Sequence, residues 1–190
     1  GVATTWTLDS SIALYDENGA ATTLGAMTAG GTINVSVLGN TLKSATKVRI
    51  TLGKVAAVDA GAGTITVVPF GGASTTLNAG ANVIVTKNGT TTGSLASVQA
   101  EDRVEVRANE LGQTVVTVIA PVTKSVWYAD AKTGTLHFLK SGTNADDSVS
   151  VSPTAYIHTG DTTLALSSLT NGNSVTVYVL RSKAVEIVKA

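Results

Sequence analysis

The chain has no cysteine, so it can build no disulfide, thiolate nucleophile or cysteine-held metal site. A domain of ordinary size can do without disulfides, so this does not exclude an extracellular location. There are only two histidines, His137 and His158; Thr66 and Lys87 stand at their repeat positions, and neither is expected to act as catalytic base or ligand. Proline occurs three times, aromatic residues make up 4% of the chain and charged residues 14%. Thirteen acidic side chains balance thirteen basic ones, which leaves no basic stripe for phosphates and gives no reason to expect a nucleic-acid partner. No apolar run approaches the roughly 20 residues of a bilayer-spanning helix, so no membrane partner is expected. No serine lies in a G-x-S-x-G elbow, Gly61-Ala62-Gly63 leads into strand-like sequence, and Gly53-Lys54 lacks the earlier glycine of a P-loop. These absences point to a protein that is not an enzyme and has no cofactor. The sequence starts at Gly1 without a Met or an apolar leader, and reads as a mature or excised fragment.

What is present is β-branched and repeated. Threonine and valine are abundant, and both suit a pleated, half-buried surface better than a helix. Leu24, Leu95 and Leu166 lie 71 residues apart, and each is followed three positions later by an apolar residue: Met27, Val98 and Leu169. Ile33 and Val35 recur as Val104 and Val106, then as Val175 and Val177. A fixed period of this kind marks one structural unit used several times.

The middle copy spells out the unit. Residues 54–58 and 64–68 read as a hairpin turning through Asp59-Ala60-Gly61-Ala62-Gly63, and the third copy repeats it as 126–130 and 135–139. An aspartate that opens such a turn accepts backbone N–H bonds, and a glycine before the return strand takes a left-handed conformation. Strands follow at 75–77 and 82–86, closed by Asn88-Gly89, then a helical turn at 94–98 capped by Ser94. Two alternating strands complete the unit at 103–107 and 114–119, and the third copy slips by about one residue near 155–157. Six short strands and one helical turn in about 70 residues suit an all-β fold of tandem, OB-like, partly open β-barrels; immunoglobulin-like β-sandwiches are the alternative.

The first copy matches only the later strands, at 6–8, 12–15, 24–27, 32–38 and 47–52. Two phases fit the period. Units beginning at 53 and 122 leave an N-terminal domain without its first hairpin; units beginning near 1 and 72 truncate the C-terminal one. The first phase is favoured, giving a partial domain at 1–52 and complete domains at 53–121 and 122–190. Short joints that are poor in Gly and Ser predict semi-rigid tandem domains.

The pattern G-x-V-x-x-V-D-x-x-x-G-T-I-T-V is carried by Gly53, Val55, Val58, Asp59 and residues 63–67. Together with Asn88-Gly89, Ser94-Leu95, Val98, Val104 and Val106, it resembles a recurrent small β-domain of bacterial surface-layer (S-layer) and other Gram-positive cell-surface proteins. The family usually has Gly-Asp before the fifth strand, where this chain has Gly30-Gly31, Glu101-Asp102 and Gly172-Asn173. The resemblance implies a secreted structural protein of the bacterial cell wall that self-assembles into a two-dimensional lattice. Contact with wall polysaccharide would come through modules outside this chain. A carbohydrate-binding, spacer or adhesin region is the alternative.

Two groups of residues are candidates for specific contacts. Asp16, Glu17, Asp146 and Asp147 offer hard oxygen ligands in turns, and calcium often orders lattices of the resembling family. None of these turns has the D-x-[DN]-x-[DN]-G spacing of a calcium loop, and acidic turn residues usually bond their own backbone. Trp127 and Tyr128 are adjacent, so strand alternation should send them to opposite faces, with at least one left for a neighbouring domain, a subunit or a glycan.

Overall fold

The computed structural model describes residues 4–27, 31–140 and 147–190, and its regular elements are β-strands and three short 3-10 turns. The protein is all-β, as the composition implies. The first sheet holds β1 (Thr7–Tyr15), β2 (Ile33–Leu38) and β3 (Thr41–Lys47), in the order β1-β3-β2. The second holds β4 (Ile50–Asp59), β5 (Thr64–Pro69), β6 (Thr75–Asn78), β7 (Ile84–Lys87), β8 (Thr90–Thr92), β9 (Arg103–Ala108) and β10 (Thr114–Ile119). The third holds β11 (Pro121–Asp130), β12 (Thr135–Phe138), β13 (Ser148–Thr159), β14 (Thr162–Thr163), β15 (Ser174–Leu180) and β16 (Lys183–Lys189).

The third sheet runs β12-β11-β15-β16-β13-β14, and β12 also pairs with β13, so five strands close into a ring. β13 manages both pairings because its register on β16 shifts between Val151 and Tyr156. The one-residue slip read near 155–157 falls within this irregularity. In the second sheet the same stretch is broken in two: β6 pairs with β5, and β7 runs parallel to β10. The strands read at 75–77 and 82–86 form as β6 and β7, and the short β8, paired with β7, brings the six strands read from the sequence to seven. In the first sheet β1 is one strand where two were read. It lies parallel to β3, with its register shifted between Leu8 and Ala13.

Burial explains why the repeat persists. Val55, Ile65, Val104, Val106 and Val116 are buried in the second unit, and Val126, Leu136, Val175, Val177 and Ile187 stand 71 residues on in the core of the third. Each face is filled by side chains that alternate inward along a strand. Leu95 starts the 3-10 turn Leu95–Ser97 and is buried, while the hydroxyl of Ser94 accepts the N–H of Ala96 at 3.1 Å. The hairpin turns form as read. Asp59 Oδ1 accepts the N–H of Ala62, Asp130 Oδ1 accepts those of Lys132 and Thr133, and Gly63 and Gly134 are left-handed at φ 67° and 65°.

Gly172 takes φ 81°, and Glu101 takes φ 73° at the equivalent place in the second unit. A side chain there costs about 1–2 kcal/mol, partly offset by glycine's larger unfolded-state entropy of roughly 0.5–1 kcal/mol. The carboxylate of Glu101 reaches Lys54 at 3.0 Å, but at 70% side-chain exposure that pair adds little. Glu101→Gly should therefore raise stability by about 0.5–1 kcal/mol, read as a higher urea midpoint with an unchanged slope.

Candidate functional site

The second and third units are joined by Ala120 alone, which separates β10 from β11. On β9, Val104 and Val106 point into the core, so Arg103, Glu105 and Arg107 alternate to the outer face. On β16, Ile187 is in the core and Glu186 faces outward. Outward charges on a strand are ordinarily solvated. Here the facing units bury both carboxylates, leaving Glu105 2% and Glu186 1% exposed.

Each buried carboxylate is neutralised by an arginine from the other unit. Arg103 donates from Nε and Nη2 to Glu186 Oε2 and Oε1 at 2.7 and 3.1 Å, a bidentate pair. In the reverse direction Arg181 Nη2 donates to Glu105 Oε1 at 2.6 Å, and Arg107 Nε lies 3.4 Å from the same oxygen. Burial works against the charge of Arg103, but the hydrogen bond and charge of Glu186 outweigh it and raise the guanidinium pKa. Its Cζ sits 5.0 Å from the ring centroid of Tyr178, whose own pKa burial pushes up. His158 extends the network, with Nε2 3.0 Å from Glu186 Oε1 and Nδ1 2.6 Å from the carbonyl of Gly160. Its ring stacks on Tyr156 at 4.2 Å, and Tyr156 stacks on Phe70 of the second unit at 5.6 Å.

Two reciprocal ion pairs and a ring column form a clasp. The net contribution of such pairs to stability is small, because desolvation offsets the attraction. Their effect is on geometry, since any other orientation would part both pairs, leaving Glu186 to His158 and Glu105 to the 3.4 Å contact with Arg107. The chain also accepts backbone strain here. Arg181 and Ser182 form the two-residue turn between β15 and β16 at φ 49° and 64°, a conformation that favours Asn-Gly.

The first joint lacks the clasp. Thr32, Asn34 and Ser36 occupy the positions of Arg103, Glu105 and Arg107, and Glu110 and Val115 those of Arg181 and Glu186. A cleft of about 650 Å³ lies there instead, lined by Asn34, Ser44, Thr46, Arg49, Arg107 and Glu110 among others.

Asp16, Glu17 and Asp147, the candidate metal residues among the described ones, are otherwise engaged. Asp16 Oδ1 accepts the N–H groups of Asn18 and Ala20 at 2.8 and 2.9 Å, which holds its pKa below the usual carboxylate range. The pKa of Glu17 is lowered by its own backbone N–H and by Lys47, 3.3 Å away. Asp147 pairs with Lys124 at 2.6 Å, and Asp146 lies outside the described residues. Among the described residues no group of three or more His, Asp or Glu side chains is placed to hold a metal.

Trp127 and Tyr128 depart from the expected opposite faces. The β11–β12 register skips Trp127, and such a bulge breaks strict alternation. Both rings are exposed and meet edge to face at 5.0 Å, and Tyr128 stacks on His137 at 4.2 Å. The result is an aromatic trio on the β11–β12 hairpin, with Trp127 and Tyr128 exposed and His137 half-buried.

The sequence reading did not find the clasp, although it left a signal. Arg103, Glu105 and Glu186 are charged where the repeat has Ser174, Thr176 and Val115, and Arg181 reverses the charge of Glu110. Charges that break the repeat in adjacent units, with complementary signs, mark a joint. Comparisons with protein-family models, curated proteins and solved structures found no match.

Removal of one partner tests the clasp. Arg103→Ala should cost about 3 kcal/mol by leaving Glu186 buried with its main cation gone. Arg103→Met combined with Glu186→Leu should recover most of that loss in urea unfolding. Residual dipolar couplings should show that the double variant has nonetheless lost the fixed orientation of the two units.

Proposed function

We propose that this chain is a structural array: tandem OB-like β-barrel units that hold a set spacing and orientation in a bacterial S-layer subunit, outside the cell. The observation that carries this reading is the reciprocal Arg–Glu clasp, which commits buried charge to inter-unit geometry. The strand order supports the barrel. In the third unit the ring runs β11-β12-β13-β16-β15, with β13 parallel to β16 and the 3-10 turn Leu166–Ser168 between β13 and β15. A five-stranded Greek-key barrel has this arrangement. The neutral charge removes a barrier to self-association, and weak contacts repeated by symmetry add up to a stable lattice. Electron microscopy across a range of salt and calcium concentrations is the test. Ordered sheets are expected in some of these conditions; dispersed particles in all of them would contradict the lattice role.

A second reading rests on the exposed Trp127 and Tyr128 rings with half-buried His137 beneath Tyr128. Flat, adjacent aromatic rings offer a stacking surface for sugar rings, as in the carbohydrate-binding alternative. If the trio binds wall glycan, Trp127→Ala should weaken binding about tenfold or more, in line with the loss of an aromatic anchor. Equal binding by the variant and the unaltered protein, measured by calorimetry with wall polysaccharide, would exclude this surface.

A further inference from the structure

Both ring nitrogens of His158 face acceptors. Nε2 lies 3.0 Å from Oε1 of Glu186, and Nδ1 lies 2.6 Å from the carbonyl oxygen of Gly160. A carbonyl oxygen only accepts, and so does an ionised carboxylate. Arg103 donates to each oxygen of Glu186, at 2.7 and 3.1 Å, so neither oxygen is placed to offer a proton to the ring. A neutral imidazole has a single N–H. It satisfies one of the two acceptors and turns a lone pair on the other. The imidazolium donates to both.

The surroundings make that difference matter. His158 is 8% exposed and Glu186 1%, so water does not stand in for a missing donor. The ring also touches both parts of the clasp. Through Glu186 it reaches Arg103, and through Tyr156, stacked on it at 4.2 Å, it reaches Phe70 of the second unit. The charged group facing the imidazole is Glu186 of β16, with Arg103 of β9 bound to the same carboxylate. Arg103 in turn meets the Tyr178 ring of β15 and lies 3.9 Å from the carboxylate of Glu101. Val188 of β16 and Thr163 of β14, which pair with His158 in the sheet, carry no charge. Asp161, one residue past Gly160, is exposed.

We infer, on the reading of the clasp as what fixes the orientation of the second and third units, that this joint is pH-sensitive: it closes around a doubly protonated His158, and loss of that proton loosens it. Histidine changes charge between about pH 5 and pH 8. At the acid end the imidazolium donates to Glu186 and to Gly160, and the joint is closed. As the pH rises through the titration of His158, one of these acceptors loses its donor, and the strain falls on the Arg103 pair and the ring column together. Closing takes up one proton, so the ratio of closed to open joint falls by up to about tenfold per pH unit within that range. The array is stiff in acid and loosens towards alkali.

Two readouts on the full chain labelled with 15N, at about pH 5 and about pH 8, provide the test. Side-chain 15N shifts should show both ring nitrogens of His158 protonated in acid and one at the alkaline end. Residual dipolar couplings of the second and third units should fit one common alignment in acid and need two at the alkaline end. His158→Gln keeps a donor for Glu186 but does not titrate, so the couplings of this variant should no longer change with pH. One common alignment at both pH values would overturn the proposal and leave the clasp standing. A single ring proton on His158 in acid would overturn it without recourse to any variant, and so would an unchanged pH response in His158→Gln. Two alignments at both pH values would overturn the reading of the clasp as well.

Discussion

Two buried carboxylates fix the way the second and third units meet. Glu105 and Glu186 lie on the outer faces of different sheets, where a strand residue would ordinarily be wet. Each makes its shortest contact with an arginine of the opposite unit, Arg181 in one case and Arg103 in the other. The linker, Ala120 alone, sets the distance between the units. The clasp sets their angle, because a buried charge tolerates one arrangement of partners and penalises the rest. The left-handed Arg181-Ser182 turn follows from the same demand, since it carries the Arg181 guanidinium to Glu105.

The valine cores and the clasp divide the work. Within a unit, non-directional burial of Val, Ile and Leu closes the sheet and tolerates substitution so long as volume and alternation are kept. Between units, directional hydrogen bonds to charged groups specify orientation. The first joint has no such reciprocal pairs, and a cleft lined in part by Arg49, Arg107 and Glu110 lies there instead. Among the described residues no hairpin covers the inner face of the first unit, and apolar side chains that are core elsewhere lie at the surface there.

The parts of this arrangement that were legible in the sequence are local or repeated. The Asp59 and Asp130 turns, the Ser94 cap and the alternating valines each follow from a few neighbouring residues, and the period confirmed them against one another. The clasp was illegible because Glu105 and Glu186 look like solvated strand charges until another unit covers them. The exposure of the Trp127–Tyr128 pair was legible, but the loss of strict alternation there was not. Strict alternation assumes an unbroken register, and the bulge at Trp127 exists only in relation to β12. The break between β6 and β7 was legible as separate strands at 75–77 and 82–86, whereas the parallel pairing of β7 with β10 was not.

The central claim is that the clasp holds the second and third units in one orientation. The absence of native cysteine makes a direct measurement clean. Ala60→Cys and Ala131→Cys place spin labels on equivalent turns of the two units, and pulsed electron resonance reads the distance between them. The account predicts a single narrow distance distribution in the otherwise unaltered protein and a broad one once Arg103→Ala is added. A broad or multimodal distribution with the clasp intact would contradict it.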